Sequence, residues 1–596
     1  MSIVVQKFGG TSVADAERIR RAAAKAVATK RAGHQVVMVV SARGKKTDEL
    51  VGLAAEITSQ PRPREMDMLL STGEQESVAL MAMAVHELGE EAISLTGAQI
   101  GVRTDGSHTK ARIISISTQR MKEVLDSGKI VVAAGFQGVD EDFNITTLGR
   151  GGSDTTAAAL AAVLNAETGE IYTDVEGVFT TDPRVVKEAT KVDQVSYDEM
   201  LELASLGAGV MHSRSIEFAK KYKVHLRVKP SYVDGPGTLI SPEPAQPPRP
   251  VTGVAFVRNE ARVSLIGVPD QPGVMSQVFA LLSENKIPVD MVVQNVGVAG
   301  TANVSFTVAE DDLAKTLEVA SAAVDALGGT VAHAADLSKV SVVGHGMQTH
   351  TGVAAQMFQV LAKQNVNIHI VTTSEIKISV LIDREFCDAA VNAAHAGFQL
   401  DQEVAAPPTV GTAAPKPTTT RDVRDAEKLE QDIVSRLSGM EDIVVSDVYA
   451  DSSQARVTIA TLDDSPGVAA AIFSAVADAG ILVDMIVQNA ARNNKAIISF
   501  TVPSADVERT VDVVKDVLKT DAGVEVSSDP SIGKLTVAGI GLRSHTDVGA
   551  KLFRTLASHD INVEMVNTSE IKVSVVVASD KTESALNALR ETFAIA

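Results

Sequence analysis

The sequence has no tryptophan, one cysteine, and aromatic residues at only 3% of its length. A lone cysteine, Cys387, excludes an internal disulfide framework and points to a reducing compartment. No apolar run approaches the roughly 20 residues that a membrane-crossing helix needs. Met1 to Gly10 lacks the basic flank of a secretory signal. Positive charge is short as well: 55 Lys and Arg stand against 75 Asp and Glu, a net charge of −20. That balance argues against nucleic acid and against an anionic membrane surface as partners. A cytoplasmic protein is the expectation, and 596 residues leave room for roughly three to six domains.

What is present is glycine in telling places. The stretch Ile145-Thr146-Thr147-Leu148-Gly149-Arg150-Gly151-Gly152-Ser153-Asp154-Thr155-Thr156 puts three glycines within four residues. An alanine-rich run, Ala157 to Leu164, follows and reads as a helix. The glycines then lie at a helix N-terminus, where free N–H groups and the dipole favour an anion. Arg150 adds a planar fork suited to a carboxylate or phosphate. The spacing matches neither a Walker A loop nor a dinucleotide fingerprint. From the glycines alone, a tight strand-to-helix turn capped by Ser153 is the plainer alternative.

Read from the start, Ile3 to Val5 is a strand running into Gln6-Lys7-Phe8-Gly9-Gly10-Thr11-Ser12. Asp15 to Arg31 reads as a helix and Gln35 to Val40 as a buried strand, a βαβ unit with parallel strands. Open sheets of this kind bind ligands beyond the carboxyl ends of strands. Lys7, Ser41 and the Gly149–Asp154 turn all fall there. Ser71-Thr72-Gly73-Glu74 opens another helix, for which a capping box is the bland reading. Lys129 to Phe136 and Glu170 to Thr173 read as buried strands, and Val224 to Val228 closes the sheet. Asp174 to Arg184 is a polar loop of a length that is often functional. His212 has no companion at metal-ligand spacing and reads as structural.

Ser241 to Pro250 holds five prolines and reads as a stiff linker. Beyond it the chain repeats. Asp270-Gln271-Pro272-Gly273-Val274 returns as Asp464-Ser465-Pro466-Gly467-Val468, and Val289–Asn295 returns as Val483–Asn489. Thr373-Ser374-Glu375-Ile376-Lys377 returns as Thr568-Ser569-Glu570-Ile571-Lys572. Each block is itself doubled, so four small strand–helix–strand–strand–helix–strand units are expected. Ala405 to Thr420 is rich in Pro, Thr and Ala and reads as a flexible linker, with a short helix at Lys428 to Leu437.

The Val5–Ser12 and Thr147–Thr156 runs and Tyr172–Arg184 together resemble the aspartokinase family of the amino acid kinase fold. The two blocks resemble pairs of ACT domains, and four of them is similar to a less common layout in that family. The resemblance implies an α/β three-layer sandwich with a mainly parallel central sheet, followed by four α+β ferredoxin-like ACT domains in two pairs. The expected boundaries are 1–240 for the kinase domain, 241–250 for the linker, 251–400 and 441–596 for the ACT pairs, and 401–440 for the central linker.

The resemblance also implies ATP-dependent phosphorylation of the L-aspartate β-carboxylate, with Mg²⁺ carried by the nucleotide and no metal cage of the protein's own. By it, Lys7 contacts the transferred phosphoryl group and Asp154 holds Lys7. Gly9, Gly10 and Ser153 line a phosphate cradle, and Ser41, Thr47, Glu74 and Arg150 hold aspartate. Thr173, Asp174, Phe179 and Arg184 border the nucleotide. Lysine or threonine is expected as effector, each ACT pair binding at its interface. The implied effector residues of the first block are Asp270, Gly273, Val274, Gln294 and Asn295, facing Asn367, Ile368 and Ser374. Those of the second are Asp464, Gly467, Val468, Gln488 and Asn489, facing Asn562, Val563 and Ser569. A homodimer or higher homo-oligomer through the ACT domains is expected. A kinase of the same fold acting on glutamate, acetylglutamate or a nucleotide, or a non-catalytic amino-acid sensor, is the rival. The coexistence of Lys7, Glu74, Arg150 and Asp154 opposes these.

Overall fold

A computed structural model of the chain describes residues 1–206, 210–245, 250–296, 300–348, 350–402, 444–490, 495–519, 523–540 and 546–595. The prolines within 246–249, and the expected linker and helix within 403–443, lie outside the described residues. No helix among the described residues is long and apolar enough to cross a membrane.

Continuous apolar strands of the kind the sequence shows can be buried on both faces only if helices cover both. The N-terminal region does this with an eight-stranded sheet. Its order is Gln194–Ser196, Thr238–Ser241, Leu226–Pro230, Thr168–Thr173, Ile3–Phe8, Gln35–Val40, Ile130–Ala134 and Ala92–Leu95. The six strands from Leu226–Pro230 to Ala92–Leu95 run parallel. Leu226–Pro230 does not close the sheet as expected: it pairs antiparallel with Thr238–Ser241, which continues to Gln194–Ser196. Separate apolar clusters fill the two sides, one around Val5, Val37 and Leu160, the other around Phe8, Met38 and Met81. A smaller four-stranded sheet ends in Ile145–Thr147, directly before the glycine turn.

The helix carrying Glu74 begins at Pro63, not at Ser71, and runs to Glu87. Proline in the first turn fits that start, since its missing N–H would lack a partner anyway. Ser71 is therefore mid-helix, its hydroxyl turned back to Met68 O at 2.9 Å, and the capping box does not form.

The four C-terminal units join in one 14-stranded antiparallel sheet. The Gly253–Pro269 strand serves two of them. Its first part pairs with Lys339–Val343 and its last part with Thr330–Ala334, with register shifts between. The expected pairing of neighbours within each block is overturned. Asp290–Val296 of unit 1 meets Met565–Thr568 of unit 4, Gln294 standing opposite Val566. Ile370–Ser374 of unit 2 meets Ile486–Ala490 of unit 3, Val371 opposite Gln488. Helices follow the same partners, with Phe279 stacked near Phe553 (4.6 Å between rings) and Phe358 near Phe473 (5.3 Å). A second apolar layer of Met291, Val293, Ile370, Met485 and Met565 joins residues of all four units. A unit whose neighbour in sequence already shares its long strand has its free edge on the far side, and only the other block offers a matching edge there.

Candidate active site and effector junctions

Lys7 is the penultimate residue of its strand, and its ammonium reaches Asp154 Oδ1 at 2.6 Å, both side chains 12% exposed. Asp154 sits in the first turn of the Gly152–Val163 helix. Gly149 (φ +77°) and Gly151 (φ +71°) shape the turn before it, a left-handed backbone that glycine adopts without strain. Gly151, not Ser153, is the N-cap, and it makes no side-chain cap. A side chain at Gly151 would collide with His212 Cβ at 2.2 Å, and one at Gly10 with Ala42 O at 2.7 Å. The backbone can therefore approach a bound group at both turns.

These turns wall an open cleft of about 1030 Å³ lined by Lys7, Gly10, Ser41, Thr47, Glu74, Arg150, Ser153 and Asp154. Residues 140 positions apart in sequence thus come together. Gly9 lies just behind: a Cβ there would press on Lys7 Nζ at 3.3 Å. Glu74 is 3% exposed. Its Oε1 accepts the Ala42 N–H at 3.0 Å, while Oε2 is buried without a hydrogen-bond partner among the described residues. Burial pushes its carboxyl up to about 7 against the pull of the Ala42 bond. A buried carboxylate oxygen with no partner is costly unless a donor arrives, which fits a ligand ammonium.

Thr173 and Asp174 leave the strand next to Lys7, with Phe8 opposite Tyr172. Phe179 lies in the short hairpin beyond. Arg184 points to solvent, 89% exposed and bound to Asp182 at 2.7 Å. None of these four lines the cleft.

The sequence reading missed three residues here. Asp67, fully buried, accepts from Thr147 Oγ1 (2.5 Å) and Thr109 N (3.0 Å) and bonds His108 Nδ1 (2.7 Å). It thereby pins the loop that brings Thr109, Lys110 and Arg112 to the cleft mouth. Two helical turns separate Asp67 from Glu74, so their shared face was the available signal. Arg214 donates to Leu148 O (2.5 Å) and Ala111 O (2.6 Å), tying that loop to the glycine turn. His212, expected to be structural, lines the cleft beside them; burial lowers its pKa.

The effector candidates regroup across blocks. Asn562 Nδ2 donates to Asp270 Oδ1 at 2.8 Å and Gln294 Nε2 to Val563 O at 2.6 Å. In the mirror arrangement Asn367 donates to Asp464 at 3.1 Å and Gln488 to Ile368 O at 2.8 Å. Gly273 (φ +95°) and Gly467 (φ +96°) cap the helices opened by Val274 and Val468. The second junction encloses a small cavity of about 20 Å³ lined by Asn367, Ile368, Asp464, Gly467, Val468 and Gln488. Ser374 is not in it. It borders another cavity of about 60 Å³ with Thr351, Gly352 and Asp484. Ser569 instead accepts from Lys572 N in its own turn. Asn489 accepts from Ser305 at 2.8 Å. The Asn295 side chain lies outside the described residues.

The Tyr197–Ser205 helix of the N-terminal region docks on this assembly through two buried carboxylates. Glu199 Oε1 accepts from Thr252 Oγ1 (2.7 Å) and His345 N (3.0 Å). Glu202 pairs with Lys377 of unit 2 at 2.7 Å and accepts the Glu570 N–H of unit 4 at 3.3 Å.

Residues 2–230 match the amino acid kinase family, and 263–324, 340–398, 460–518 and 535–593 each match the ACT domain. The aspartokinase of Geobacillus stearothermophilus is 51% identical over 407 residues, covering 68% of this chain and 99% of that protein. The crystal structure of aspartate kinase from Synechocystis superposes with a TM-score of 0.53 at 38% identity, covering 99% of this chain and 98% of that one. E. coli aspartokinase III in complex with aspartate and ADP gives 0.58 at 26% identity, over 66% of this chain and 99% of that one. Its complex with lysine and aspartate, a T-state, gives 0.53 with the same identity and coverage.

Proposed function

Because the chain belongs to the aspartokinase family and is an aspartate kinase regulated through its ACT domains, we propose that the cleft at Lys7 is where ATP phosphorylates the β-carboxylate of L-aspartate. The product is 4-phospho-L-aspartate, the opening step toward the aspartate-derived amino acids, and lysine or threonine bound at the two junctions restrains it. A homodimer or higher homo-oligomer is the working assembly, inside a cytoplasm.

One observation carries this reading: a cation held by Asp154 and a buried carboxylate oxygen of Glu74 that lacks a hydrogen-bond partner among the described residues face the same cleft as Arg150. The acceptor carboxylate, pKa about 3.9, is already ionised at neutral pH, so no general base is required. The reaction needs alignment and neutralisation of charge spreading over the phosphoryl oxygens. Lys7, fixed by Asp154, supplies a positioned cation, and the N–H groups around Gly10 and Gly152 supply dipoles. Arg150 suits the substrate α-carboxylate by its fork, and Glu74 the α-ammonium. Ser41 and Thr47 complete the aspartate side. Thr173, Asp174, Phe179 and Arg184 lie outside the cleft lining, beyond the strand next to Lys7, and would border the nucleotide there. Mg²⁺ travels on the phosphates and adds charge neutralisation when bound; no group of carboxylates, histidines or cysteines among the described residues is built to hold it.

The test is ADP release with Lys7→Ala and with alternative acceptors. Turnover falls by roughly a thousandfold or more, as for loss of a charge acting mainly in the transition state, while aspartate affinity stays. Retained turnover with weakened aspartate binding overturns the assignment of Lys7. Turnover with L-glutamate or UMP matching that with L-aspartate overturns the substrate.

A further inference from the structure

Residues 174–192 leave the carboxyl end of the Thr168–Thr173 strand, beside Lys7, and return through the pair Val178–Phe179 with Lys191–Val192. At the far end of this excursion Pro183, Arg184, Lys187 and Glu188 are exposed, and one apolar side chain anchors them. Val186 is 3% exposed within the apolar core of the second ACT domain, among Met357, Leu361, Val391 and Ala394.

Three hydrogen bonds fix the hairpin to that domain. His395 Nε2, on the Cys387–Gly397 helix, lies 2.9 Å from Thr180 Oγ1. Thr190 donates to Leu400 O at 2.9 Å, and Val254 N donates to Thr180 O at 2.7 Å. His395 is 1% exposed and Thr180 1%. Thr180 Oγ1 also accepts the Thr190 N–H at 3.0 Å, so its own proton is free to go to the imidazole. Burial favours the neutral ring that can accept it.

We propose that His395 is a positioning residue for the nucleotide: through Thr180 it makes the second ACT domain one wall of the support for the hairpin that borders ATP. The proposal rests on the reading above that Thr173 to Arg184 borders the nucleotide. A domain that moves His395 moves the base of this hairpin, because Val186 at the tip is packed in the core and the neck is bonded on both strands. The fourth ACT domain meets the N-terminal region at Glu202, which the second domain also contacts through Lys377, whereas the hairpin is held by the second domain.

The experiment uses the full chain and compares KM for ATP with KM for aspartate in His395→Leu, His395→Gln and Thr180→Val. Losing one buried neutral hydrogen bond, about 1 kcal/mol, corresponds to roughly a fivefold change. His395→Leu and Thr180→Val are expected to raise KM for ATP by about that factor and leave KM for aspartate in place. The double variant rises no further than either single one. His395→Gln, which carries an amide near the Nε2 position, recovers most of the loss. An unchanged KM for ATP overturns the proposal. So does an equal rise in both KM values, which general loosening would produce. Asp174→Ala separates the two layers: a rise there without one in His395→Leu removes this proposal alone. No rise in Asp174→Ala removes the nucleotide reading and the proposal with it.

Discussion

The two junctions proposed to bind effector are copies of one another in backbone and differ in charge. Beside the junction of ACT domains 1 and 4, Arg456 reaches in from domain 3 to pair with Glu564 of domain 4 at 2.6 Å, and it also pairs with Asp529 at 3.3 Å. Beside the junction of domains 2 and 3 the equivalent Arg262, reaching in from domain 1, has Nε and Nη1 buried without a hydrogen-bond partner among the described residues, with the Asp464 and Asp383 charges nearby. The position of Glu564 is taken there by His369, which bonds Asp383 at 2.8 Å instead. Asp463 adds a second carboxylate beside Asp464, where the other copy has Pro269 beside Asp270. Duplication kept the asparagine–aspartate and glutamine–carbonyl bridges, which shape the sites. It let the surrounding ions drift, and on the proposed reading that is where the two sites would differ in ligand preference.

The strongest way to break the comparison is to remove one bridge at a time. Asp464→Ala and Asp270→Ala each take away the carboxylate that suits an effector ammonium. A lost charged hydrogen bond weakens binding by roughly 10- to 100-fold. Inhibition by lysine and threonine, singly and combined, should lose one response in each variant. If either substitution removes every response, the junctions do not act separately.

The cleft supplies a reference that neither junction should move. Glu74 is favoured in its neutral form by the fold, so the stability it contributes is full below its unfolded value of 4.5 and is given up as pH rises through about 7. Aspartate binding has the opposite sense, because the ammonium needs the carboxylate. KM for aspartate should climb toward about tenfold per unit as pH falls below 7, and Glu74→Gln should flatten that slope. A wild-type KM flat from pH 8 to 6 contradicts the role of Glu74.

Smaller effects sharpen the comparison. Glu202 touches both pairs at once, through Lys377 and the Glu570 N–H. Glu202→Gln should blunt inhibition from both junctions by a few-fold, seen as a rightward shift of each inhibition curve; a shift confined to one effector would tie Glu202 to one pair. Smallest is the contrast in stability. Arg456→Met strands Glu564 and should cost roughly 2 kcal/mol, whereas Arg262→Met removes a guanidinium whose Nε and Nη1 are buried without hydrogen bonds among the described residues and should cost less. Denaturation midpoints of the two variants check the difference, and equal losses would refute it.

Much of this molecule was legible in the residues. Lys7 and Ser41 converge because parallel strands share one carboxyl end, and a βαβ pattern announces that; the Gly149–Asp154 turn instead arrives from the smaller sheet, through the antiparallel Ile145–Thr147 strand. The repeats announced four like units. Which unit stands beside which was not legible, since similarity says that edges match and not which copies meet. Ser71-x-x-Glu74 misled for a related reason: capping chemistry is local, and Pro63, eight residues earlier, had already started the helix. Asp67 and Arg214 escaped because each bonds backbone brought in from a distant segment, and His212 was read as structural because only the fold sets Gly151 against it.

The long Gly253–Pro269 strand has a consequence for how the chain is made. Its first residues belong to the sheet of the second ACT domain, yet they are synthesised before any of the first, and Gly253 finds Val343 only after that whole domain has emerged. The second domain is thus wrapped around the first in sequence. Its edge in turn waits for Ile486–Ala490, far downstream. Such distant closures carry the entropy of long loops and slow assembly. The regulatory half is therefore expected to mature late, as one body, with the finished kinase domain waiting tethered at the ribosome exit. A chain cut near Asp401 would leave the Asp290–Val296 and Ile370–Ser374 edges unpaired and open to other strands.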